Sequence, residues 1–319
     1  MSADIQDLLL RALSGLPHPP LSPLTIRPVG GGSINHTYHV SSTKDNRGWF
    51  CKFNYKGDFP DLFVAEATGL ALLGATGIFR VPLTIACTVV DERQVLVLEW
   101  IAQDAPTSRF WALFGEQLAV LHHFTPPSAD PALVPARDNH RSLPDGSAPA
   151  VPRLFGLDHD NYMGALPQDN TPTSSWPDFF IHRRLEPQIK LASQNNLLPH
   201  AARDQFQRLY RHLPAIFPPE PPALLHGDLW SGNFLCDDKD QPVLIDPAVY
   251  YGHRSIDLAM TTLFGGFDPA FYDAYHWHYP LPSNHRQQWT IANLYPLLIH
   301  LNLFGQTYLP NILHTIQGF

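Results

Sequence analysis

An aspartate, an asparagine five residues on and a second aspartate thirteen residues beyond that recur in one short region of this chain. Asp228 and Asn233 fall in Leu225–Asn233 (LHGDLWSGN), and Asp246 in Val243–Ala248 (VLIDPA). Both segments follow or interrupt an apolar, strand-like run. A carboxylate on such a loop can orient a hydroxyl and accept its proton as the oxygen attacks. An amide and a second carboxylate supply the hard oxygen ligands that magnesium takes on a nucleotide. The spacing therefore points to transfer of the terminal phosphoryl group of ATP to an alcohol, with Asp228 as base and Asn233 and Asp246 as magnesium ligands. A lone His-Gly-Asp would read as a turn with an Asx cap; the three positions together do not.

Upstream residues supply the other half of such a site. Lys52 stands inside the apolar run Trp49–Phe53, and period-two alternation places it on the face of Phe50, opposite Trp49, Cys51 and Phe53. An unpaired ammonium there is costly. Glu66 poses the complementary problem, a carboxylate on the apolar stripe of the next helix. Each resolves the other's burial, and the pair would turn Lys52 toward the α- and β-phosphates. The other reading is a strand-edge lysine snorkelling to water beside an exposed glutamate. Gly30, Gly31, Gly32 and Ser33 lie between two strand-like runs, where free backbone dihedrals let N–H groups close over phosphate. That run is neither GxGxxG nor a Walker loop, and alone it reads first as a flexible β-turn. Glu99 and Ile101 belong to the segment Glu99–Ala102, the expected hinge and nucleotide contact. His226 reads as a brace for its loop, since Asp228 already fills the place of a base. Asp257 opens an apolar helix, where it caps the helix or accepts N–H groups of the loop at Asp228. Arg254 reads either as a phosphate or substrate contact or as a salt bridge.

The elements that must hold these residues follow a coarse plan. Leu24–Val29, His36–Val40, Trp49–Phe53 and Arg93–Trp100 read as strands. Asp61–Leu73 reads as a helix, with Phe63, Glu66, Leu70 and Leu73 on its 3.6-residue period. Pro126–Pro152 is Pro-rich and aperiodic, a surface connection. Beyond it Trp176–Ala192, Ala201–Leu213, Ser255–Phe264 and Gln287–Phe304 read as helices. The fold class is thus α+β: a small antiparallel β-rich lobe over residues 1–101 for the nucleotide, and a larger helical lobe over 102–319 for catalysis and substrate.

Composition bounds the partners. The 319 residues carry a net charge of −8, from 29 acids against 21 bases, which argues against a nucleic-acid or anionic-membrane surface. Cys51, Cys87 and Cys236 are too widely spaced for a disulfide framework or a zinc cluster. The 17 histidines lack a metal-ligand pattern, with His122-His123 and His276-x-His278 the nearest approaches. The N-terminus reads as a short amphipathic helix with no signal-peptide character, and no apolar run is long enough to span a bilayer. A cytoplasmic protein is expected, as a monomer or homodimer.

At the level of motifs the chain resembles the fructosamine-3-kinase family, also called ketosamine or protein-ribulosamine 3-kinases. HGDLWSGN, IDPAVYYGHRSIDLAM and LFGGF carry the resemblance most strongly. GGGSINHTYHV, FCKFN, VAEATGLALL, FFIHRRLEPQ and HLNLFGQTY extend it over nearly the whole chain. Trp230, between Asp228 and Asn233, distinguishes the family from aminoglycoside- and choline-type kinases of the same fold. The resemblance implies a two-lobed protein-kinase-like fold and ATP- and magnesium-dependent phosphorylation of a ketoamine 3-hydroxyl, on small molecules or glycated proteins. The 3-phosphate is unstable and breaks down, releasing the amine. Bacterial-type members favour ribulosamines and erythrulosamines. By motif position Asp228 is the base, Asn233 and Asp246 bind magnesium, Lys52 and Glu66 form the nucleotide pair, and Trp230 lines the sugar-amine pocket, with a core indole as the other reading. Two positions depart from the pattern. Ser33 stands where many members carry a glycine-loop cysteine linked to redox dimerisation, and Ser255 where a glutamate is usual. A small-metabolite kinase of the same fold, and a binding module without turnover, are the competing readings.

Overall fold

A computed structural model describes residues 2–16, 24–30, 35–42, 44, 47–124 and 154–319. The expected Pro-rich connection Pro126–Pro152 and the positions Gly31, Gly32 and Ser33 lie outside them. The chain divides into two compact units. One comprises Met1–Phe110 with Gly232–Pro247, the other Trp111–Ser231 with Ala248–Phe319.

The first unit is built on α1 (Ser2–Leu13), β1 (Leu24–Pro28), β2 (His36–Ser42), β3 (Arg47–Tyr55), α2 (Leu62–Ala75), β4 (Thr84–Val90) and β5 (Arg93–Glu99). The strands form one antiparallel sheet in the order β1-β2-β3-β5-β4. Alternation along β3 decides what each face meets. Trp49, Cys51 and Phe53 are buried in a cluster with Leu8, Leu9 and Leu13 of α1, while Phe50 and Lys52 face the other way. The strand β4 was not expected from the sequence. Its run TIACTVV is β-branched, but a register shift between Thr84 and Ala86 and largely exposed residues blur the alternation.

The second unit is mainly helical. It takes in most of α3 (Ser108–His123) and the hairpin of β6 (Asn161–Met163) with β7 (Leu166–Gln168). After α4 (Trp176–Phe179), a π-helical turn (Phe180–Leu185), α5 (Glu186–Gln194) and α6 (His200–Ile216) comes β8 (Ala223–Leu225). The chain leaves for the first unit with β9 (Phe234–Cys236) and β10 (Pro242–Leu244), which pair with each other. It returns as β11 (Tyr250–Gly252), antiparallel to β8. Then follow α7 (Ser255–Leu263), α8 (Pro269–His278), α9 (His285–Ala292), α10 (Leu294–Phe304) and α11 (Leu309–Ile316).

Two helices differ from expectation, both at proline. Trp176–Ala192 continues to Gln194 but widens into the π turn, because Pro187 has no N–H for the Arg183 carbonyl and its ring crowds that oxygen. Gln287–Phe304 is two helices broken at Asn293, since Pro296 cannot donate to Ala292. The Asn293 side chain instead donates to Ala259 O at 2.9 Å. The strand-like runs before His226 and Asp246 form β8 and β10, whereas helices α3, α8 and α11 and strands β6, β7, β9 and β11 were not expected. No helix among the described residues is long and apolar enough to cross a membrane.

Candidate active site

Within the first unit, three residues far apart in sequence meet. Lys52 Nζ lies 2.8 Å from Glu66 Oε1 and 2.7 Å from Asp246 Oδ1. The lysine side chain is 2% exposed and that of Glu66 10%, whereas Asp246 keeps 42%. Burial alone pulls the Lys52 ammonium down, but Asp246 and Glu66 together outweigh it, so the lysine stays charged. Burial pushes Glu66 up, Lys52 pulls it back, and the Asp246 charge adds to the rise. One cation thus faces two acidic side chains, and a further cation brought to them would favour their charged forms.

The hairpin of β9 and β10 presents the two expected metal ligands. Asn233 is buried. Its carbonyl accepts from Ile245 N at 3.1 Å, and its Nδ2 lies 3.5 Å from Asp246 O. Asp246 adopts a left-handed backbone (φ 52°), which aspartate tolerates better than most residues. One half-exposed carboxylate and one amide suit magnesium, which takes its other ligands from water and phosphate. The hairpin is anchored by a residue that sequence reasoning missed. Arg80 bonds Asp237 Oδ2 at 2.6 Å and Glu99 Oε1 at 2.7 Å, and its carbonyl accepts from Leu244 N at 3.0 Å. Asp237 also accepts the N–H groups of Lys239 and Gln241 at 2.9 Å each. Glu99 Oε2 takes Leu83 N at 3.2 Å, so the Glu99 side chain belongs to this clamp. Ile101 is buried, Gly30 is an exposed bend, and the next residue after Glu99, Trp100, stacks on His39 at 3.7 Å.

The loop carrying Asp228 belongs to the second unit. Asp257 receives His226 N on Oδ2 and Gly227 N on Oδ1, both at 2.8 Å. It does not cap its own helix, whose N-cap position is Arg254. His122 Nε2 stands 3.3 Å from Asp257 Oδ2, and its Nδ1 2.9 Å from the Tyr275 hydroxyl. Asp228 N donates to His226 Nδ1 at 3.3 Å, so the imidazole proton sits on Nε2. Gly227 has φ 84°, and a Cβ there would lie 2.1 Å from Ala248 O; only glycine fits. Ala248 N in turn donates to His226 O at 2.8 Å. Trp230 meets Phe264 edge-on, centroids 5.8 Å apart. Arg254 is buried against Glu220 Oε2 at 2.9 Å and over the Tyr279 ring at 3.6 Å, a structural salt bridge.

A base candidate on a braced loop and an ion-paired lysine beside a hairpin with two candidate metal ligands are the parts a phosphotransferase needs. Comparison with known proteins agrees. The fructosamine kinase family profile matches residues 8–130 and 148–319. A protein of Lactiplantibacillus plantarum named a probable ketoamine kinase is 36% identical over 289 residues, spanning 90% of this chain and 91% of its own. The chloroplastic protein-ribulosamine 3-kinase of Arabidopsis thaliana is 32% identical, over 91% of this chain and 81% of its own. The crystal structure of a Thermobifida fusca protein assigned as a fructosamine-3-kinase superposes with a TM-score of 0.78 at 30% identity, covering 98% of this chain and 97% of that one.

Proposed function

The chain belongs to the fructosamine kinase family, and we propose that it transfers the γ-phosphoryl group of ATP to the 3-hydroxyl of ketosamines. It is a phosphotransferase of protein-kinase-like fold, and the acceptor is the finer reading. Ribulosamine, erythrulosamine and fructosamine adducts, free or on protein lysines, are the proposed substrates. The 3-phosphate then breaks down and frees the amine, a repair of glycation in the cytoplasm.

The observation that carries this reading is the burial of Lys52 between Glu66 and Asp246. In that position Lys52 is held for the α- and β-phosphates. Asn233 and Asp246 would hold magnesium, whose charge offsets that of the phosphates. Gly30–Ser33 would close over the phosphates, and the backbone from Glu99 to Ile101 would meet the base. Asp228 orients the acceptor hydroxyl and takes its proton. Its own backbone is fixed through His226 and Asp257. Trp230 offers an aromatic face to the apolar side of the sugar.

The test is a panel of ribulosamine, fructosamine, free sugars, choline and an aminoglycoside with ATP and magnesium, read by mass spectrometry for phosphate gain and later amine release. The expected result is fastest phosphorylation of the ribulosamine. Faster turnover of choline, aminoglycoside or free sugar would assign a small-metabolite kinase instead, and no phosphate gain on any ketoamine sinks the reading. Asp228→Ala should lower kcat about a thousandfold while nucleotide binding persists.

A further inference from the structure

The π turn in the segment FFIHRRLEPQ places Arg184 in an unusual setting. Its side chain is fully buried and ion-paired with no carboxylate among the described residues. The guanidinium carbon lies 4.0 Å from the Tyr250 ring centre, 4.5 Å from that of Phe179 and 5.5 Å from that of Tyr295. Nη1 donates to Asp169 O and Nη2 to Asn170 Oδ1, each at 2.7 Å, while Nε has no acceptor. The neighbouring Asp169 carboxylate is taken by Arg183 at 2.7 Å. A buried cation without a counter-charge and one donor short is expensive. The three ring faces offset part of that cost, and an aliphatic side chain there would leave Asp169 O and Asn170 Oδ1 without this donor. The arginine's place is thus tied to the groups it holds, Asp169 O and Asn170 Oδ1.

What the guanidinium holds leads to the loop of Asp228. Asn170 Nδ2 donates to Asn161 Oδ1 at 2.9 Å, and Asn161 Nδ2 donates to Val249 O at 2.8 Å. Gln168 Nε2 joins the same Asn161 oxygen at 2.7 Å and reaches Ala248 O at 3.3 Å. The Tyr295 hydroxyl donates to Gln168 Oε1 at 2.9 Å, which orients that amide. Ala248 and Val249 are the strip against which the loop is laid. Ala248 N donates to His226 O, and Ala248 O is the atom that leaves room for no side chain at position 227. Burial holds the proton on the Tyr295 hydroxyl, with the Arg184 charge opposing and the Tyr250 and Asp228 charges adding to the rise. All of these groups belong to the second unit.

We infer that Arg184 is a positioning residue for Asp228, acting through Asn170, Asn161, Gln168 and Tyr295 on the Ala248–Val249 backbone that seats the loop. It touches neither substrate nor nucleotide. The inference rests on Asp228 being the residue that handles the acceptor hydroxyl. Displacing a reacting group by about 1 Å costs about a hundredfold in rate, so a seat of this kind is read in kcat and not in nucleotide affinity.

The experiment compares wild type with Arg184→Met and Arg184→Lys, each held below its own Tm. It measures kcat, KM for ATP, and amide hydrogen exchange at residues 225–229. Arg184→Met should lower kcat about tenfold to a hundredfold, leave KM for ATP within about twofold, and speed exchange of the loop amides. Arg184→Lys, which restores a cation and a donor, should fall between the two. Wild-type kcat in the Met variant, unchanged loop exchange, or a Lys variant no better than Met each overturns the inference. If the Met variant does not fold, Tyr295→Phe decides, because it removes one bond of the network and leaves Arg184 caged. A fall in kcat with faster loop exchange supports the seat, and wild-type behaviour of both removes it. Loop exchange needs no acceptor, so it tests Arg184 even if no ketoamine is phosphorylated, an outcome that would count against the proposed substrate alone.

Discussion

Lys52 is the residue whose environment does most to define the site, and its removal has a worked-out cost. Lys52→Met leaves Glu66 buried beside Asp246 with no cation between them. Breaking a buried ion pair from one side costs about 3 kcal/mol, so denaturant unfolding should show a loss of that order. Glu66 relieves part of it by taking a proton in the folded state. Its folded pKa is already raised above the ordinary 4.5, so the variant should regain stability as pH falls toward that value. A double variant, Lys52→Met with Glu66→Gln, should be more stable than the single one at pH 7. Equal stability of the two would mean that Glu66 is not trapped by its partner's loss. His253 carries a second pH signature. Burial among Trp176, Phe217 and Glu220 pushes its imidazole down to about 4, with Glu220 opposing and Arg254 and His122 adding to the fall. The unfolded chain takes up a proton near pH 6.5 that the folded chain refuses until about 4. Stability from this residue is therefore complete above pH 6.5 and is lost as pH falls through that window, by about 3 kcal/mol. His253→Asn should flatten the dependence of Tm on pH between 6.5 and 4, whatever it does to Tm itself.

Elements explain why those residues are where they are, and which of them sequence could reveal. The face of Lys52 was legible because β3 alternates cleanly and the opposite face, Trp49, Cys51 and Phe53, is wholly apolar. Glu66 was legible because an acid on an apolar stripe demands a partner. Asp228, Asn233 and Asp246 stood out by their spacing, and the structure brings two of them to one hairpin, where Ile245 N donates to Asn233 O and Asp246 pairs with Lys52. The clamp at Arg80 was not, because its partners Asp237 and Glu99 lie 157 and 19 residues away and an arginine after a helix has no pattern of its own. Arg184 stood in a motif, but its burial depends on the π turn, and Pro187 announces a disturbance without saying which side chain it turns inward. The break at Asn293 could have been read from Pro296, whose missing N–H falls within an otherwise unbroken apolar period. Arg80 yields the element-scale prediction. Its loss frees the β9–β10 hairpin, which carries Asn233 and Asp246. Arg80→Ala should cost about 1–2 kcal/mol of stability. It should also raise KM for magnesium-ATP severalfold, while the spectroscopic signature of the helices is unchanged. An unchanged KM at all magnesium concentrations would show that the hairpin keeps its place without the clamp.

At the scale of the whole molecule, the unit that carries Lys52 is not a contiguous stretch of chain. Reading from the sequence ends the first lobe at residue 101, whereas the compact unit runs to Phe110 and takes in Gly232–Pro247. The inserted segment is integral to it. Asp246 compensates Lys52, Arg80 bridges to Val243 through the backbone, Asp104 N donates to Cys236 O at 2.9 Å, and Phe110 packs on Phe234 at 5.8 Å. A fragment of residues 1–101 would expose the partners of that segment and leave the buried Glu66 and Lys52 pair without Asp246. Residues 1–110 joined by a flexible linker to 232–247 should therefore unfold cooperatively on heating, and residues 1–101 should not, as followed by circular dichroism and by dispersion of amide resonances. The comparison separates two views of the molecule. If the shorter fragment melts as sharply as the longer, the sheet and its two helices stand alone and the β9–β10 hairpin is an addition to a finished lobe. If only the longer one does, Lys52 and Asp246, the proposed phosphate and metal contacts, are held by a single cooperative unit. Anything that loosens the hairpin must then also weaken the hold on the nucleotide, because the two share one unfolding equilibrium.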